Sequence, residues 1–295
     1  MSHEIKVAVI GLDTSHAVEF PKLMQGPARP AELQSRGCRV VSCMRFPTPF
    51  QDEAGLDARQ KTLEDLGVRV TRNFDQAVAD CDAIMIEIND PAPHLDYFQR
   101  CVTLGKPIFL DKPLADNITH GRRIVELAEQ HHCRVFSASS LRFVPALRQA
   151  CDAVPHPLFA TIYGPLGKAP VGSGIIWYGV HAFEMLQRAM GRGAISLRTV
   201  ADDAGVTVIV RYPDQRRAIV ELTTGHYLYG GGLRDKQKAA PFLVDTSRIY
   251  ADLLTQIVAF FHGNPAPLEL TDTLEIMAML DAADRSAKTG EELPL

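Results

Sequence analysis

The sequence is short of several things, and each shortage removes a class of protein. It has a single tryptophan, Trp177, in 295 residues. Its six cysteines (Cys38, Cys43, Cys81, Cys101, Cys133 and Cys151) form no C-x-x-C pair. That spacing argues against a structural zinc site or a disulfide frame and for the reduced thiols of a cytoplasmic protein. Neither sign of charge dominates: 31 Lys and Arg against 35 Asp and Glu leave a net charge of -4. Nothing in that balance attracts nucleic acid or an anionic membrane. No apolar run approaches the roughly 20 residues needed to span a bilayer. The N-terminal Met1-Ser-His-Glu-Ile-Lys6 passes straight into a strand pattern without a signal-peptide core. Internal repeats and low-complexity tracts are absent too. What is present is 46% hydrophobic residues in a chain long enough for two domains, divided at about 1–142 and 143–295.

The first part alternates strand and helix patterns. Short β-branched or apolar runs at Ile5 to Ile10, Cys38 to Cys43, Val68 to Val70, Asp82 to Ile88, Pro107 to Leu110 and Arg134 to Ser137 are separated by helical stretches. Such alternation predicts a doubly wound parallel sheet with right-handed crossovers. The second part reads as α+β on an antiparallel sheet. Leu158 to Tyr163 is a strand, Gly174 to Met190 one long helix, and Val206 to Tyr212 with Arg217 to Thr223 a hairpin around Pro213-Asp-Gln-Arg216. Further strands are expected near Leu197 to Ala201 and Phe242 to Val244, and helices over Tyr250 to His262 and Thr271 to Ala287. Gly230-Gly-Gly232 and the charged run Arg234 to Lys238 read as a mobile loop.

The chemistry concentrates in Pro107-Ile-Phe-Leu-Asp-Lys-Pro-Leu-Ala115. The proline after Lys112 disfavours helical geometry at that residue, which keeps the lysine at a strand end. Ligands of open α/β sheets bind beyond the carboxyl ends of the strands, so the lysine amine is aimed at a crevice, where it can act as general acid or base.

Taken in order, the strand into Gly11, Asp82 to His94, Gly105-Lys106-Pro107 through Asp111-Lys112-Pro113, the helix carrying His181, and Asp281 to Gly290 resemble the Gfo/Idh/MocA oxidoreductase family over nearly the full length. The resemblance implies an N-terminal Rossmann domain, a C-terminal sheet used for homo-oligomer contacts (a dimer or tetramer), an NAD or NADP cofactor, and a small sugar-like or polyol substrate. Lys112 carries over directly, with Asp111 where the family usually has Glu. His181 matches the family's proton-transfer histidine, so Lys112 and His181 are the expected catalytic pair. Asn89 falls where the family's chain passes the cofactor.

The departures are as informative. A dinucleotide fingerprint G-x-G-x-x-G uses glycines to turn the chain, admit the pyrophosphate and pack the helix on the strand. Here the segment is Gly11-Leu12-Asp13-Thr14-Ser15-His16, with only the first glycine kept. Asp13 is expected to crowd a diphosphate and repel it. His16 offsets that charge if protonated, and Thr14 and Ser15 can donate hydrogen bonds. The same residues are strong helix caps, and from sequence both roles stay open. At the end of the second strand Arg45 replaces the acid that holds ribose hydroxyls, which favours NADP over NAD. Four residues before His181 the family's Asp is replaced by Trp177, which can stack on a sugar but cannot shuttle a proton; Tyr178 is a substitute donor. No spacing among Asp13, His16, His94 and His181 predicts a metal site. Two functions follow: NAD(P)-dependent hydride transfer on a polyol-like substrate, or a redox-inactive relative that binds a small ligand or runs cofactor-free acid–base chemistry.

Overall fold

The computed structural model describes residues 4–27 and 30–295; the first three residues of the N-terminal segment read above lie outside them. The chain divides into two units, 1–115 with 119–137 and 250–270, and 116–118 with 138–249 and 271–295. A single cut near residue 142 misses the return of the chain to the first unit. The reason is apolar: Phe136 packs edge-on against Phe260 at 5.0 Å, and the Arg134 guanidinium donates to the Phe260 carbonyl at 2.8 Å.

The first unit runs β1 (Ile5–Ile10), α1 (His16–Gln25), β2 (Cys38–Met44), α2 (Glu53–Asp65), β3 (Arg69–Thr71), α3 (Phe74–Val78), β4 (Ala83–Ile86), α4 (His94–Val102), β5 (Ile108–Leu110), α5 (Ile118–Gln130) and β6 (Val135–Phe136). All six strands are parallel, in the order β3-β2-β1-β4-β5-β6. A parallel sheet covered on both faces needs strands that are apolar throughout. Val7 to Ile10, Ala83 to Ile86 and Ile108 to Leu110 meet that need and are buried, each large side chain contributing about 2 kcal/mol of burial. Strand order reverses between β1 and β4, which opens the crevice for ligands at their carboxyl ends. Gly11 follows β1 there with φ of +107°, and a Cβ on it would strike the Glu87 carbonyl oxygen after β4. Only glycine satisfies both constraints.

The second unit contains α6 (Pro145–Ala153), β7 (Phe159–Pro165), α7 (Gly174–Trp177), α8 (Val180–Met190), β8 (Ser196–Asp202), β9 (Gly205–Arg211), β10 (Arg217–Thr223), β11 (Gly230–Arg234) and β12 (Ala239–Leu243). The chain then gives α9 (Ile249–Phe261) mostly to the first unit and closes with α10 (Leu270–Thr289) and β13 (Leu293–Pro294). The seven strands lie in the order β12-β11-β7-β10-β9-β8-β13, antiparallel except for the β7–β10 pair. The hairpin expected from Val206 to Thr223 is β9–β10.

Two expectations need correction. The segment read as a mobile loop is the β11–β12 hairpin. Its glycines are there because a Cβ on Gly230 would strike the Tyr163 hydroxyl and one on Gly231 the Thr161 carbonyl; Pro241 is tolerated because β12 is an edge strand. The long helix of Gly174 to Met190 is two helices. It breaks at Tyr178–Gly179, where a Cβ on Gly179 would sit 2.7 Å from Leu222. Trp177 and His181 therefore do not share one continuous helix face. Among the described residues no helix is long and apolar enough to cross a membrane.

Candidate active site

The residues predicted for the first unit gather at the carboxyl ends of β1, β4 and β5. Asp13 is turned into the protein, 1% exposed, where its Oδ1 accepts from the Asn89 amide at 2.9 Å. Burial raises its pKa, while the Asn89 amide and the Thr48 hydroxyl pull the other way. Thr14 acts as a cap, its Oγ1 accepting from the Ala17 amide at 3.1 Å. Arg59 reaches over from α2 and donates to the carbonyls of Leu12 and Thr14 at 3.0 and 2.7 Å. Ser15 is exposed and its hydroxyl meets that of Tyr250 at 2.9 Å.

This geometry answers whether a dinucleotide's pyrophosphate fits. The objection from sequence was that Asp13 crowds and repels it. The carboxylate instead points inward and fastens β1's loop to β4's loop. The start of α1 keeps its helix-terminal positive potential, with Arg59 beside it and Ser15 the exposed residue of the turn. The residues fit a diphosphate at this turn.

Arg45 fares differently. It is buried at the end of β2, with Nη1 2.7 Å from Asp57 and 2.6 Å from Gln60 and Nη2 2.7 Å from Glu53. Two carboxylates already match its charge and would repel a 2′-phosphate. The expectation that Arg45 selects NADP thus loses its physical basis.

Lys112 follows β5 and is 7% exposed. Its amide donates to Asp111 Oδ1 at 2.8 Å, and its Nζ lies 3.9 Å from Asp111 Oδ2. His16, the first residue of α1, places Nδ1 3.0 Å from Asp111 Oδ1 and 3.5 Å from Glu87 Oε2. Its ring stacks on Phe20 at 4.9 Å and meets Tyr250 edge-on at 5.0 Å. Burial alone would lower the His16 pKa, but the Asp111 and Glu87 carboxyls raise it to about 9. Burial and the Asp111 charge push Glu87 up to about 8. Burial works against ionised Asp111 too, yet His16 and Lys112 hold it well below the usual carboxylate range. His16, Glu87 and Asp111 offer ligand atoms all within 4.8 Å of one another, an arrangement no sequence spacing announced. Glu87 was missed; its signal was an acid inside the apolar run Ile84-Met-Ile-Glu-Ile88. His94 is a structural tie, its two ring nitrogens facing the carbonyls of Ile88 and Leu114 at 2.8 and 3.3 Å.

In the second unit His181, at the start of α8, is oriented by Ser139, whose Oγ lies 2.6 Å from its Nδ1. The Ser139 amide donates to Glu184 at 3.0 Å, and Arg142 pairs with Glu184 at 3.4 Å. Tyr178 and Tyr229 flank the His181 ring edge-on at 5.3 and 5.8 Å, and Trp177 lies 5.1 Å from Tyr178. Tyr178 and His181 are three residues apart across the break between α7 and α8, and their rings meet there.

A six-stranded parallel sheet in this order, with a glycine turn after β1 at the switch point, defines a Rossmann-type nucleotide-binding domain, here joined to a mixed-sheet unit. Residues 53–139 match the family model GFO_IDH_MocA, an oxidoreductase family with an NAD-binding Rossmann fold. It is 32% identical over 81 residues to a D-xylose 1-dehydrogenase [NADP(+)] of Haloarcula marismortui, 27% of this chain and 22% of that protein. It is 27% identical over 128 residues to an uncharacterised protein of Saccharomyces cerevisiae, 41% of this chain and 37% of that one. The matched segments thus span well under half of these curated relatives. The fold likeness is wider. The scyllo-inositol dehydrogenase from Lactobacillus casei, solved with NAD(H) and scyllo-inositol, superimposes with a TM-score of 0.78 at 14% identity over 98% of both chains.

Proposed function

We propose that the chain is a nicotinamide-dinucleotide-dependent oxidoreductase acting on a small sugar-like or polyol substrate. The observation that carries the reading is Lys112 at the carboxyl end of β5, nearly buried and held at its amide by an equally buried Asp111. Such a lysine is placed to hold and move a proton at a substrate oxygen, a role that contributes typically 10²–10⁴-fold to rate. A bound nicotinamide supplies the hydride acceptor or donor. In the oxidative direction the hydroxyl proton passes to the Lys112 amine as the carbon gives up its hydride; reduction runs the same steps in reverse.

Gly11, Thr14, Ser15, His16 and Asn89 are assigned to the cofactor, with Asp13 acting from beneath the loop and Arg45 at its β2 margin. His181 is assigned to proton transfer, Tyr178 to a supporting donor role and Trp177 to stacking on the sugar. The catalysed substrates named for the haloarchaeal and Lactobacillus proteins support a polyol class. Six free cysteines support a cytoplasmic setting. The exposed apolar residues Val200, Tyr227, Leu228 and Leu243 support self-association through the second unit.

The test is a thermal-stability titration with NAD, NADP and their reduced forms, since a ligand of the native state raises apparent stability by mass action. A concentration-dependent rise with at least one is expected. No response to any of the four at millimolar concentration would overturn the oxidoreductase reading and leave the redox-inactive ligand-binding alternative. If NADP alone responds, and Arg45→Ala abolishes the response, the argument against 2′-phosphate selection by Arg45 fails.

A further inference from the structure

Behind Lys112 stand buried charged groups whose mutual arrangement the proposed reaction does not account for. His16 opens α1, Glu87 follows β4, and Asp111 closes β5, so three elements converge on one point beneath the lysine. Both Glu87 oxygens and Asp111 Oδ2 are buried without a hydrogen-bond partner. Their compensation is ionic: His16 Nδ1 lies 3.5 Å from Glu87 Oε2, and Lys112 Nζ lies 3.9 Å from Asp111 Oδ2. A buried carboxylate in that condition is strongly unfavourable unless a cation faces it, so the protonation states of the four groups depend on one another.

We propose that His16 and Glu87 are positioning residues for Lys112: the imidazole anchors Asp111 through Oδ1 and leaves Oδ2 to the lysine amine, and the protonation of Glu87 decides whether Lys112 faces one carboxylate or two. The inference rests on the reading of Lys112 as the acid–base group and adds what sets its electrostatic surroundings. With Glu87 protonated, the amine faces the Asp111 carboxylate alone. With Glu87 ionised, a second negative charge joins it behind the lysine. Burial and Asp111 push Glu87 up to about 8 and the two carboxyls hold His16 at about 9, so the change falls just above neutral pH. Two other titratable groups face the cluster. Tyr250 from α9 presents its ring to His16 and its hydroxyl to Ser15. The Cys43 thiol of β2 is driven well above its usual range by burial and by Glu87.

The test uses the full chain without cofactor or substrate. Lys112 is labelled with formaldehyde and cyanoborohydride from pH 6 to 10, and its methylation is read by mass spectrometry. The labelling rate should show an inflection near pH 8 that disappears in Glu87→Gln. In His16→Asn it should fall about tenfold at pH 7.5, the effect of roughly one pH unit expected from removing a neighbouring charge. The His16 ring nitrogens, followed by NMR, should titrate near pH 9 and move about one unit lower in Glu87→Gln. Identical labelling profiles in parent and Glu87→Gln overturn the proposal, and His16→Asn decides it if the first variant does not fold. A thermal stabilisation by zinc or manganese that Glu87→Gln abolishes also overturns it, because the cluster would then be a metal site. Since neither readout needs a dinucleotide, a failure here is separate from a failure to bind cofactor. Where turnover is measurable, the alkaline limb of its pH profile should move in Glu87→Gln; an unmoved limb would reduce both residues to packing.

Discussion

Each unit of the molecule buries a glutamate completely, and the two are managed in opposite ways. Glu184 in the second unit is pushed up to about 7 by burial, and it has a dedicated arginine, Arg142, and the Ser139 amide as partners. Its work is architectural: it fixes Ser139, whose hydroxyl orients His181. Glu87 in the first unit has no hydrogen-bond partner of its own and shares two cations with Asp111. A paired acid holds shape, whereas a shared one leaves charge adjustable. The difference places structural support in the second unit and electrostatic poise behind Lys112 in the first.

The largest way to break the comparison is Arg142→Met. Removing one partner of a buried pair should cost about 3–5 kcal/mol, read as a lower urea midpoint at unchanged m-value. The loss should shrink below pH 7, where Glu184 takes up a proton. If Arg142→Met costs nothing at any pH, the pair has no structural role.

Next in size is the pH dependence of stability. The native state holds protons on Glu184 to about 7 and on Glu87 to about 8, whereas an ordinary glutamate releases its proton near 4.5. Between those values the native state binds more protons, so stability falls as pH rises. His16, raised from 6.5 to about 9, adds stability that is complete below 6.5 and is lost as pH rises through 9. Unfolding free energy should therefore decline steadily from pH 5 to pH 9, and His16→Asn should flatten the part above pH 6.5. A rising curve over that range contradicts the assignments.

Glu87→Gln should behave unlike Arg142→Met. It keeps the shape of the protonated acid, so stability at pH 6 should change by less than about 1 kcal/mol and should exceed the parent's above pH 8. The smallest effect is Gly167→Ala. Its Cβ would lie 2.6 Å from Tyr178 and 2.9 Å from the Trp177 ring. A cost of about 1 kcal/mol is expected, with a shift in the emission of the sole tryptophan.

The fold was largely legible because parallel strands buried on both faces are written as apolar runs, as in Ala83 to Ile86. The β9–β10 hairpin was legible through its polar turn. β11 was not, since its glycines answer to Tyr163 and Thr161, residues far off in sequence, and local composition there says loop. The helix break at Gly179 likewise depends on Leu222. Lys112 could be placed at a strand end from its proline, and the family resemblance singled it out as a candidate. Glu87 could not be given a role, because its partner His16 lies 71 positions earlier and only the β1–β4 adjacency joins them. Asp13 and Arg45 show a further limit. Sequence gave their charge, but the direction in which each side chain points reversed the argument built on it.

The central claim is that Lys112 is the acid–base group of a dinucleotide-dependent oxidoreductase. Its most direct test is nicotinamide reduction over a panel of polyols and sugars, comparing the parent with Lys112→Ala at saturating cofactor. The account predicts a fall in kcat of about 10³-fold with dinucleotide affinity changed less than about threefold, because Lys112 acts on the substrate oxygen. A variant that turns over at the parent's rate would contradict it.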